Sequence, residues 1–104
     1  MTDIYTRRFD QANRNWTAKS ENNRMFLRTS QDWANNVLQV RGHIFLNDIQ
    51  DMLGFDRTSQ GQLVGWLKNG DGDGFVDFGV TEVEDEPGVF LLTFNPDGVM
   101  YDKI

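Results

Sequence analysis

The chain has 104 residues, of which 38% are hydrophobic, 25% charged and 12% aromatic, with a formal net charge of -6, so it is neither disordered nor strongly basic. A chain of this size buries roughly two-thirds of its unfolded surface without a staple, and residues 1–104 are expected to form a single domain. The absence of cysteine excludes disulfides, thiolate metal sites and cysteine nucleophiles.

The first ten residues, MTDIYTRRFD, lack a signal-type apolar core. No apolar run approaches the roughly 18 residues of a spanning helix. The chain is therefore expected to be soluble and intracellular, with no membrane partner. Charge is unevenly placed: residues 1–43 carry seven Arg and Lys against four acids (+3), and residues 44–104 carry three against twelve (-9). The acidic part repels phosphate backbones, so direct nucleic-acid binding is not expected, while Arg7, Arg8, Arg14, Arg24 and Arg28 suit an acidic partner.

In chain order, Tyr5, Phe9, Ala12 and Trp16 recur at helical spacing, which predicts an amphipathic helix over 5–16, and the polar TAKSENN reads as a connector. Ser30 then suits an N-cap for a second helix carrying Trp33, Ala34, Val37 and Leu38 on one face and stopping at Gly42. Asn47 and Gln50 form a capping-box pattern for a third, short helix that ends at Gly54.

Beyond Gly61 the period changes to two. GQLVGWL, FVDFGV, GVFLLTF and VMYDKI read as four antiparallel strands, with NPDG a tight turn before the last. The expected class is α+β, about three N-terminal helices packed on a C-terminal antiparallel four-stranded meander. A helix-turn-helix over 46–67 is disfavoured because Gly61 and Gly65 would cost about 1 kcal/mol each inside its second helix, in an acidic region.

The stretch KNGDGDGFVDFG is the one pointed motif. With Asn69 as position 1 of a calcium loop, Asp71 and Asp73 fall at positions 3 and 5, Gly74 at 6 and Asp77 at 9. Position 12, where a bidentate Glu belongs, is Val80, and the following residues alternate as a strand does. The competing reading is a hairpin tip, in which Asn, Asp and Gly recur because they satisfy turn amides and tolerate positive φ. Asn69, Asp71, Asp73 and Asp77 are the candidate metal ligands, and calcium is the one cofactor in view.

His43 is the single histidine, no serine sits in a nucleophile elbow, and GDGDG lacks the Lys-Ser/Thr pair of a phosphate loop. No enzymatic activity is expected. The candidate interaction residues are Trp66, on a strand with apolar residues on both faces, and the acids Glu82, Glu84, Asp85 and Glu86 of the loop EVEDEPG.

The strings ANNVLQVRGHIFLNDIQDMLGFDRTSQGQLVGW, DGFVDFG and LTFNPDGVMYDKI resemble a family of small proteins encoded in phages and prophages, especially of Gram-positive bacteria. The resemblance spans residues 25–104 and leaves 1–24 as a variable N-terminal helix. It implies a setting, the host bacterial cytoplasm or the virion, and no mechanism. The expected function is a phage-associated, non-enzymatic protein-interaction module, accessory or virion-associated, with a phage or host protein as partner. The alternatives are an acidic inhibitor of a host defence nuclease and a weak calcium-binding module acting through the 69–77 loop.

Overall fold

A computed structural model describes residues 5–69, 74–96 and 98–99. Its elements are β1 (Thr6–Phe9), α1 (Ser20–Arg41), β2 (His43–Phe45), α2 (Leu46–Leu53), a single 3-10 turn at Gln60–Gln62, β3 (Val64–Leu67), β4 (Thr81–Glu82), β5 (Phe90–Thr93) and β6 (Gly98–Val99). The class is α+β. The arrangement differs from three helices on a four-stranded meander: among the described residues there are two α-helices, and the strands divide between two small antiparallel sheets.

One sheet has the order β1-β5-β4, with Phe9 opposite Phe90 and Leu91 opposite Thr81. The other is the β2–β3 pair, His43 opposite Leu67, to which β6 adds two residues.

Three local causes account for the difference. The expected N-terminal helix is a strand, because the four-residue spacing from Tyr5 to Phe9 satisfies a period of two as well as 3.6, and β5 offers its edge to Thr6–Phe9. The expected connector TAKSENN is partly helix. α1 starts at Ser20 and runs unbroken through Ser30, which lies buried in mid-helix and caps nothing. Its start is fastened by Asn23, whose side chain accepts from Thr17 N (2.9 Å) and donates to the carbonyls of Thr17 and Gly88 (2.9 Å each).

The third cause concerns the expected strand FVDFGV. Residues 76–80 join no ladder, Gly79 turning to φ 58°, and the amides of Val76 and Phe78 bond to α1 side chains. Val76 N donates to Asn35 Oδ1 (2.7 Å), Asn35 Nδ2 to Val76 O (3.0 Å), and Phe78 N to Gln31 Oε1 (2.9 Å). A helix thus replaces one neighbouring strand, and only the Thr93 N to Phe78 O bond (2.7 Å) ties this segment to β5.

The predicted helix stops hold. Gly42 (φ 86°) closes α1 with its N–H on Leu38 O, and Gly54 (φ 90°) closes α2. At the start of α2 the Asp48 carboxylate accepts from Phe45 N (3.1 Å), and Asn47, the expected cap, instead bridges both backbone groups of Thr58 (2.9 and 3.0 Å).

The core lies between α1 and the sheets. Leu27, Ala34 and Leu38 of α1 share one core cluster with Ile44, Ile49, Leu53, Val64 and Trp66 and with Phe9, Phe78, Phe90 and Leu92. Each large side chain buried here contributes about 1.5–3 kcal/mol. Among the described residues no helix is long and apolar enough to cross a membrane.

Candidate functional site

With Leu27, Ala34 and Leu38 turned inward, α1's period of 3.6 fixes what its opposite face carries. Met25, Thr29, Trp33, Asn36 and Val40 fall on that outer stripe. Met25 is 70% exposed, Trp33 49% and Val40 85%. Beside Trp33 a groove of ≈ 320 Å³ opens between α1 and α2, lined by Phe26, Thr29, Ser30, Trp33 and Met52. Its floor is apolar, because Phe26 and Met52 are half-buried against the core. A helix normally turns a polar stripe to water. Three of the seven exposed large hydrophobic side chains among the described residues, Met25, Trp33 and Val40, thus lie on the outer side of this one helix, about two turns apart.

The exposed surface of the helix carries both signs, Arg24, Arg28 and Arg41 with Glu21 and Asp32. Arg24 pairs with Glu82 (2.8 Å) and lies 5.7 Å from the Phe90 ring centroid, while Arg28 and Arg41 form no ion pair among the described residues.

The acidic loop is tied down at both ends. Glu82 accepts from Ser20 Oγ (2.7 Å), Gly88 N (3.2 Å) and Arg24 Nη2 (2.8 Å). The Ser20 hydroxyl, then the Gly88 amide, with Arg24 adding its charge, hold the Glu82 carboxyl below the usual glutamate range. Glu86 pairs with Arg8, whose guanidinium also bonds Asp10 (2.9 Å). Glu84 and Asp85 are exposed between these anchors. Of the four candidate acids, two therefore serve internal pairs.

Trp66 lies at 0% exposure in the core, its Nε1–H donating to Asn95 Oδ1 (3.0 Å). It packs, and offers nothing to a partner. Trp33 is the exposed tryptophan. The residue pattern gave Trp33 the same inward face as Ala34 and Leu38. The signal that separates them is the phase set by Leu27, about two turns before Ala34 and three before Leu38, which becomes readable once the helix is extended back to Ser20.

Of the four candidate metal ligands, Asp71 and Asp73 lie outside the described residues. Asn69 stands at the end of the turn after β3, and the Asp77 carboxylate accepts from Gly79 N (2.8 Å), a local turn bond of the kind expected at a hairpin. Among the described residues no three His, Cys, Asp or Glu side chains converge to hold a metal.

Across residues 1–104 the chain matches the model of a family of unknown function (DUF6353). The chain belongs to this family. The DUF6353 match takes in residues 1–24, so β1 and the start of α1 are part of the family's common unit. Nothing matches the chain among curated proteins or among solved structures.

Proposed function

We propose that this DUF6353 protein is a non-enzymatic protein-interaction module whose outer α1 face takes an acidic, amphipathic segment of a partner protein. The observation that carries the reading is the stripe of Met25, Trp33 and Val40, with the apolar groove beside it. Tryptophan in a partly formed pocket is the residue type that most often anchors an interface. Arg28, beside the stripe and in no ion pair among the described residues, offers a positive charge to an acidic flank of the partner. The phage setting that the family resemblance implies fits such a module, and the partner's identity distinguishes a virion component from a host protein. The nuclease-inhibitor reading is weakened by the internal pairing of Glu82 and Glu86, which leaves fewer acids to occupy a phosphate groove.

The test is a photo-crosslinking residue placed at position 33 and, as control, at exposed Gln62, in cells that carry the protein's natural context. The expected result is a crosslink from position 33 to an acidic segment with an apolar face, and binding of that segment, once purified, that Met25→Asp and Val40→Asp abolish. Crosslinks no stronger than those from position 62, or to basic segments alone, would count against the proposal.

A further inference from the structure

A second cleft, of ≈ 240 Å³, lies between β1 with its following turn and the turn at 54–56, lined by Arg7, Arg8, Asp10, Asn13, Phe55 and Asp56 together with Ala12 and Gly54. Its two walls are fixed to each other: Asn13 Nδ2 and Asn15 Nδ2 both donate to Leu53 O (2.9 and 3.0 Å). Arg8 is paired with both Asp10 and Glu86, and Asp10 also accepts from Ala12 N (3.0 Å). That leaves Arg7 and Asp56 as opposite charges facing one cleft, neither of them in an ion pair among the described residues.

Arg7 is held in a definite pose without any internal anion. Its guanidinium stacks 5.9 Å from the Phe55 ring centroid, and Nη2 donates to Gln50 Oε1 (3.0 Å). Behind it two buried donors, Arg7 Nε and Nε2 of the fully buried Gln50, have no acceptor among the described residues. Because Nε has no accessible surface, a ligand in the cleft meets the guanidinium by its Nη edge, and the group that matches such an edge is a carboxylate. Asp10 and Asp56 would repel a phosphate or any polyanion from the same space. A ligand with a carboxylate at one end and a cation at the other satisfies both walls.

We propose that this cleft binds a small α-amino acid as its zwitterion, with the carboxylate on the Arg7 guanidinium and the ammonium on Asp56. The site stands apart from the outer face of α1 and does not depend on it.

The experiment is an NMR titration of the isotopically labelled full chain with L-serine, following the amides of Asn13, Gly54 and Phe55. The expected result is a saturable, millimolar-range shift confined to these walls. Arg7→Gln and Asp56→Asn should each weaken it about tenfold or more, as loss of one charge-assisted contact implies. Serinamide and N-acetylserine, which each lack one charge, should not saturate the site, and inorganic phosphate should not compete. Should Arg7→Gln fail to fold, Arg7→Lys keeps the stem and charge but loses the fork, and is expected to weaken binding as well. The proposal is overturned by the absence of saturable shifts, by phosphate or N-acetylserine binding as tightly as serine, or by unchanged binding in the Arg7 and Asp56 variants.

Discussion

Gly54 and Gly42 close the two helices with nearly the same backbone, φ 90° and φ 86°, yet alanine at each should have different consequences. At both, a side chain in the left-handed region costs about 1–2 kcal/mol, less a few tenths recovered from the stiffer unfolded chain. Around Gly42 there is nothing within 4 Å of an added Cβ, so that is the whole effect. At Gly54 the added Cβ would stand 2.8 Å from Asn15 Nδ2 and 3.1 Å from Asn13 Oδ1, whose amides clamp Leu53 O. Displacing them gives up two hydrogen bonds worth about 1 kcal/mol each. Gly54→Ala should therefore cost about 3–4 kcal/mol and Gly42→Ala about 1–2 kcal/mol. Urea unfolding with unchanged m-values measures both. Placing Gly54→Ala in an Asn15→Ala background should recover part of the difference, since the overlap has gone. Equal losses at the two glycines would refute the reasoning that the Asn13–Asn15 clamp sets the cost.

The burial of Trp66 predicts that Trp66→Phe, which keeps most of the volume but removes the donor to Asn95, destabilises the fold by about 1–2 kcal/mol in the same assay. Glu82 gives a pH signature. Its folded carboxyl titrates below the ordinary value of 4.5, so its contribution is present in full above that value and is lost as pH falls through the lowered one. The wild type should melt higher than Glu82→Gln at neutral pH, and the gap should close on acidification below 4.5. A gap that stays constant through that window would show that the charge of Glu82 contributes nothing.

Much of the local structure was legible in the residues. Gly42 and Gly54 marked helix ends, and VGWL and FLLT read as strands, because these features depend on backbone preferences and short-range period. The pairing of strands was not legible, since β1 reaches β5 across most of the chain and nothing near Thr6 announces it. Residues 76–80 carry a good strand pattern, but the amides of Val76 and Phe78 meet Asn35 and Gln31, a long-range substitution invisible to alternation. The exposed stripe was missed for a single reason: with the helix expected to begin at Ser30, too little of it remained to fix its phase. Arg7 and Asp56 lie 49 residues apart and are joined by the fold alone.

The most direct test of the interaction face compares wild type with Trp33→Ala in two measurements on the same preparation, unfolding in urea and affinity for the segment captured at position 33. With Trp33 half-exposed, the stability loss should stay within about 1 kcal/mol. An anchor of the interface should cost at least about 2 kcal/mol of binding. Full retention of binding by Trp33→Ala would contradict the account.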